Sequence, residues 1–170
     1  VLFGVGYLVW TINLLSAFLG LLTAFLYTLV YTPLKRITWW NTTIGSIPGA
    51  LPPVMGWACA TGTIENEAWI LFALLVIWQH PHFYAISWMY KEEYEKAGFK
   101  MLSVVHPKDN ALFNHIMVHL CLLILISTIP FFIGFSSYLY LIAAVALGIY
   151  FYRAGFQLLK SHSVDDARKL

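Results

Sequence analysis

Two short stretches of this chain hold most of the residues that could do chemistry. The first, Trp78-Gln79-His80-Pro81-His82-Phe83-Tyr84-Ala85-Ile86-Ser87-Trp88, leaves an apolar run and passes into Lys91-Glu92-Glu93-Tyr94-Glu95-Lys96. Imidazoles and a carboxamide at hydrocarbon depth are expensive, so they usually mark a site. The second, Tyr31-Thr32-Pro33-Leu34-Lys35-Arg36, followed by Thr38 and Asn41, sets two adjacent cations beside hydroxyl and amide donors. Paired cations at a helix end can mark topology alone. With Tyr, Thr and Asn beside them they also suit a phosphate group.

The acidic run supports two readings. Glu92, Glu93 and Glu95 could hold Mg²⁺, which prefers oxygen ligands and bridges to substrate phosphate. The same residues read equally as a solvated interfacial helix, because Glu92 shares a helical face with Glu95 and Lys96. His80 and His82 point roughly opposite ways on a helix and are unsuited to one metal. His115 and His119 share a face, a spacing that suits a metal or a haem iron but more often gives satisfied polar contacts. His106 and His162 carry no special expectation. Trp78, Phe83, Tyr84, Trp88, Tyr90 and Tyr94 fit an interfacial aromatic belt. They also fit walls around an isoprenoid chain and the allylic cation formed when its diphosphate leaves.

The elements that must position these groups are helices. Of the residues, 60% are hydrophobic and 11% charged, far from the roughly 25% charged of a soluble domain. The apolar runs approach the length of about 20 residues needed to cross a bilayer. Exposed strand edges do not survive in lipid, and the alternating segments of a membrane barrel are absent. The expectation is an all-α, multi-pass transmembrane bundle of about five or six helices. A helix ends near residue 9, and others cover about 14–31, 43–60, 67–90, 111–133 and 138–159. Pro33 should end the second by restricting Thr32. Pro52 and Pro53 should kink or break the third, whose Gly45, Gly49, Ala50 and Gly56 allow close helix approach. Residues 91–110 read as a charged loop with a short amphipathic helix over 92–98, and 161–170 as a polar tail.

The ten Lys and Arg fall in three places: Lys35 and Arg36; Lys91, Lys96, Lys100 and Lys108; and Arg153, Lys160, Arg168 and Lys169. Counting helices puts all three at one face, which the positive-inside rule assigns to the cytoplasm or an organelle matrix. A net charge of +2 gives no reason to expect a nucleic-acid partner. Cys59 and Cys121 read as buried free thiols.

Tyr31-Thr32-Pro33-Leu34-Lys35-Arg36, the run Asn41-Thr42-Thr43-Ile44-Gly45-Ser46-Ile47-Pro48-Gly49-Ala50-Leu51-Pro52-Pro53, and Trp78-Gln79 with Pro81-His82-Phe83-Tyr84-Ala85 together carry a family resemblance, extended by Glu92-Glu93-Tyr94 and Ala97-Gly98. In that order they resemble the haem O synthase (protohaem IX farnesyltransferase) branch of the UbiA-type intramembrane prenyltransferases. The match is strong over about residues 10–110. The resemblance implies a helical bundle around a cavity. It implies transfer of a farnesyl group from farnesyl diphosphate to a vinyl group of haem B, giving haem O for terminal oxidases, with Mg²⁺ assisting departure of diphosphate. It implies residues 1–170 as a single transmembrane prenyltransferase domain truncated at both ends, with the family's first Asp-rich motif upstream. The partners it implies are the two substrates, membrane lipids, and haem A synthase or oxidase assembly factors. The implied location is a bacterial inner membrane, with the mitochondrial inner membrane as the alternative.

Residue roles follow. Lys35, Arg36 and Tyr31 are expected to be catalytic, and Lys35, Arg36, Asn41 and Lys91 to bind diphosphate. Gln79, His82, Tyr84 and Trp88 are expected against haem or the prenyl chain, and Glu92 and Glu93 at the metal. A haem-carrying electron-transfer protein using His82, His115 or His119 is the second reading, and a transporter or scaffold subunit the third. The spatial expectation beneath these roles is one water-accessible mouth shared by the Lys-Arg and Glu pairs.

Overall fold

The computed structural model describes residues 1–107 and 110–170; Lys108 of the second basic group lies outside the described residues. Helix α1 (Leu2–Thr11) is followed by α2 (Leu14–Phe25), which opens with Asn13 accepting a hydrogen bond from Ser16 N–H at 2.7 Å. α2 runs on through a π-helical segment, Leu26–Tyr31, into α3 (Thr32–Leu34). Then come α4 (Asn41–Thr61), α5 (Asn66–Met89), α6 (Lys91–Lys96), α7 (Leu102–Val105), α8 (Ala111–Phe132), α9 (Tyr138–Ser161) and α10 (Val164–Ala167). There is no strand among the described residues.

Four helical stretches, Leu14–Leu34, Asn66–Met89, Ala111–Phe132 and Tyr138–Ser161, are long and apolar enough to cross a membrane. α4 has comparable length, 21 residues, but its Asn, Thr, Ser, Gly and Pro content lowers its hydropathy. It is also the helix with most of its faces covered. It runs antiparallel to α2, with Asn13 donating to Ala58 O at 2.8 Å at one end and Tyr31 against Gly45 at the other. It runs antiparallel to α5 through Gln79 and Ser46. α5 meets α8 through His80 on His119 and Trp88 on Phe113, and α8 meets α9. The result is an antiparallel bundle with two cores. Leu19, Leu51, Val54, Ala58 and Ala68 fill one end. Tyr84, Leu102, Leu112, Phe113, Ile116 and Leu158 fill the other.

Four sequence expectations change. Pro33 does not end its helix. The widened ladder before it carries Thr32 N–H back to Tyr27 O, a register that absorbs the N–H which proline lacks. Pro52 and Pro53 do not break the third helix, since α4 is continuous through them and Pro48, where packing on both sides outweighs the lost donors. The segment after α5 is not a solvated loop, because Met101, Leu102 and Ser103 are buried and Ser103 Oγ donates to Ser87 O at 2.7 Å. Cys59 is half-buried and Cys121 exposed, since each falls on an outward turn of its helix.

The polar tail is also structured. Ser163 caps α10, accepting from Asp166 N–H at 3.1 Å, and Ala167 is buried against α5 and its neighbours. Hydrogen bonds from Lys169 and then Ser161 and Ser163 pull the Asp166 carboxyl from its ordinary 3.8 down to about 2. A depressed folded-state value means the contribution is complete above 3.8 and disappears as pH falls towards about 2. Protection of the Val164–Arg168 amides, relative to their intrinsic exchange, should therefore fall in that acid window, and Asp166→Asn should abolish the dependence.

Candidate functional site

Helix alternation carries the connections at 35–40 and 90–107 and the tail to one end of the bundle, and hydrogen bonds join the first two. Lys100 N–H donates to Lys35 O at 2.7 Å. Asn41 Nδ2 donates to Lys100 O at 2.9 Å and to Thr38 O at 2.7 Å. Asn41 is fully buried. It ties the two basic segments together and does not line the cavity beneath them. Asn41→Leu strands both carbonyls and should cost about 1–3 kcal/mol, read as a lowered thermal midpoint in detergent.

The cavity has a volume of about 260 Å³ and lies between the α2 π-segment, α4, α5 and α6. Lys35 stands at its polar end, with Nζ 4.4 Å from the centre of the Tyr31 ring. Among the described residues the ion pairs are Arg168–Asp165 and Lys169–Asp166, so none of the described carboxylates pairs with Lys35. Tyr27, Tyr31 and Phe83 supply aromatic wall and Gln79 a polar patch. Glycines decide how close these groups come. A Cβ on Gly45 would lie 2.5 and 2.6 Å from two Tyr31 ring carbons, and one on Gly49 would strike the Gln79 amide. The amide is held in turn by Nε2 donating to Ser46 O at 3.2 Å and Leu75 O at 3.1 Å.

α6 closes the rim. Gly98, with φ +72, ends it in a left-handed turn. Phe99 N–H returns to Tyr94 O at 2.9 Å and Gly98 N–H to Glu95 O at 3.0 Å, a Schellman closure. The turn sets Phe99 beside Tyr94, with Lys35 Nζ 6.0 Å and the Arg36 guanidinium 5.9 Å from its ring. Tyr94 lines the cavity. Burial, with Tyr90 adding to it, raises its phenol above the ordinary 10.0, so it meets a ligand as a neutral hydroxyl.

The residues expected at the site divide. Tyr31, Lys35 and Gln79 share the cavity. Arg36 is exposed beside it on Phe99. Lys91, Glu92, Glu93 and Trp88 line a second depression with His162. The Lys-Arg and Glu pairs thus reach the same end of the bundle but open into separate hollows, because Tyr94 turns inward from α6 while Glu92 and Glu93 are exposed. Tyr84 is 1% exposed and sits in the core against His80, His115 and His119. His82 stacks on Trp78 at 4.9 Å, with Nδ1 donating to Leu170 O at 3.3 Å. Trp88 Nε1 donates to His162 O at 3.1 Å. Phe83 and Tyr94 belong to the aromatic group read as an isoprenoid wall, whereas Tyr27, Thr42, Gly45 and Gly49 carry no site expectation from the sequence. Thr42, Gly45 and Gly49 recur at helical spacing along one face of α4, a signal obscured by the many other small residues there.

No group of three or more His, Cys, Asp or Glu side chains that could hold a metal ion occurs among the described residues, and the two candidate carboxylates line a different hollow from Lys35. These residues do not fit a Mg²⁺ site with Lys35. Of the histidines read as haem ligands, His119 stacks on His80 at 4.1 Å and 11° with Nδ1 donating to His115 O, and His82 stacks on Trp78.

Fold and site together define an integral membrane helical bundle whose interior cavity pairs a cation with aromatic walls. The chain belongs to the UbiA prenyltransferase family, whose model matches residues 1–170. It is 46% identical over 157 residues to a protein of Solibacter usitatus named protoheme IX farnesyltransferase, covering 92% of this chain and 54% of that one. It is 40% identical to a protein of the same name from Marinobacter nauticus, covering 97% and 54%. With the human mitochondrial protoheme IX farnesyltransferase it shares 38% identity, covering 98% and 37%. The chain spans about half, or less, of the length of these curated relatives. No solved structure matches it. Nothing in the comparisons supports the electron-transfer reading.

Proposed function

We propose that this chain belongs to a protohaem IX farnesyltransferase, transferring the farnesyl group of farnesyl diphosphate to a vinyl group of haem B to give haem O. The observation that carries the reading is the unpaired Lys35 at the mouth of an aromatic-walled cavity in the membrane, in a chain whose named relatives carry that activity. We assign residues 1–170 to one prenyltransferase domain, in a bacterial inner membrane, as the bacterial relatives above are the more similar.

The diphosphate lies against Lys35, with Arg36 at the exposed rim. Heterolysis of the C–O bond leaves its electron pair on the diphosphate. Lys35 stabilises that growing charge more than it stabilises the bound substrate, which is the differential effect that accelerates a reaction. The faces of Tyr27, Tyr31 and Phe83 shield the allylic cation from water and attract it. The vinyl π electrons form the new C–C bond to the farnesyl C1. The cation beside the porphyrin then takes oxygen from water, which releases a proton. Gln79 offers the cavity its amide.

The test uses the full-length protein in membranes, supplied with haem B and farnesyl diphosphate. Mass spectrometry should show a haem gaining both the farnesyl group and a hydroxyl. Intact membranes that return only haem B would refute the reading.

A further inference from the structure

Beside the cavity wall a polar tie joins α4, α5 and α8. His80 is 3% exposed. Its Nδ1 lies 2.7 Å from Val76 O; a carbonyl only accepts, so Nδ1 carries the proton. In the neutral ring Nε2 is then an acceptor, and Thr43 Oγ1, 3.2 Å away, donates to it. The ring's face is occupied by His119, stacked at 4.1 Å and itself pinned by Nδ1 donating to His115 O at 2.7 Å. One turn along α4 from Thr43, Ser46 O receives the Gln79 amide. The face of α4 that carries Thr43 and Ser46 meets α5, and the face that carries Thr42, Gly45 and Gly49 walls the cavity.

Resting on the function proposed above, we infer that His80 is a positioning residue for the prenyl-diphosphate cavity: by accepting the Thr43 hydroxyl and stacking on His119 it fixes the axial rotation of α4. Gly45 and Gly49 have no slack, since Tyr31 and Gln79 already occupy the space of a missing Cβ at each. A small rotation of α4 therefore displaces the ring beneath Lys35 and the amide at the cavity wall together. Without the tie the buried Nε2 acceptor of His80 would lose its partner, which gives the tie direction as well as strength.

The test measures steady-state haem O formation by the full-length protein in membranes, varying farnesyl diphosphate. His80→Leu and Thr43→Val should each raise KM for farnesyl diphosphate about threefold to tenfold, the range of one neutral hydrogen bond. The double variant should be no worse than either single. His80→Gln, which keeps an acceptor for Thr43, and Thr43→Ser, which keeps the hydroxyl, should return KM towards wild type. A loss of folded protein alone lowers the maximal rate and leaves KM unchanged, so that pattern overturns the inference, as do fully multiplicative single effects. Where His80→Leu does not accumulate, Thr43→Val against Thr43→Ser decides: equal KM values overturn it. A wild-type protein making no farnesylated haem would remove the functional reading on which this stands. Active wild type with unshifted variants would remove the positioning role alone.

Discussion

Lys35→Ala in the full-length protein should lower haem O formation by about 10²- to 10³-fold, the usual effect of deleting one preorganised group that meets developing charge. The geometry makes the change clean. The Lys35 backbone is fixed independently of its side chain, because its carbonyl accepts from Lys100 N–H at 2.7 Å. Its ammonium packs on the Tyr31 ring and joins no ion pair among the described residues. Removing it strands no buried carboxylate, so the fold should survive while the turnover number falls. Arg36 provides the contrast. It neighbours Lys35 in sequence, yet it is exposed, lies over Phe99 and is absent from the cavity lining. Arg36→Ala should mainly raise KM, by a smaller factor and less strongly at high salt, where an exposed charge is already screened. Single-turnover and steady-state measurements on the two variants separate these outcomes. Equal losses in both would place the leaving group outside the cavity.

The contrast between Lys35 and Arg36 shows what one-dimensional reading reaches. Charge and hydropathy sufficed for the helices, their alternation and the gathering of the basic segments at one end, because each follows from whether a group tolerates lipid. The position of a side chain around its helix axis did not follow. Asn41 and Tyr84 have the chemistry of ligand-contacting residues, and both are fully buried, Asn41 bracing Lys100 O and Tyr84 packing in the histidine cluster. Glu93 and Tyr94 are adjacent in sequence and serve different hollows. The π-helical stretch before Pro33 was invisible because its wider ladder is a tertiary accommodation with no composition of its own. That stretch in turn determines where Tyr31 points, and so where Lys35 stands.

Gly45 is where that placement is most exposed to a single atom. Gly45→Ala should reduce kcat/KM by about 10-fold or more, with little effect on how much protein reaches the membrane. The added methyl would sit 2.5 to 3.0 Å from three atoms of the Tyr31 ring, well inside van der Waals contact. A ring cannot yield by rotating a flexible end, so the whole side chain must swing, and Lys35 loses the surface on which its ammonium rests. Alanine also favours the helix over glycine by about 1 kcal/mol, so α4 should form at least as readily. The defect therefore belongs to the cavity and not to folding. Tyr31→Leu removes most of the colliding ring atoms. In that background Gly45→Ala should cost far less than it does alone, a coupling that a double-mutant cycle reads directly. Additive losses would mean that the Tyr31 ring and the Gly45 backbone do not meet in the working enzyme.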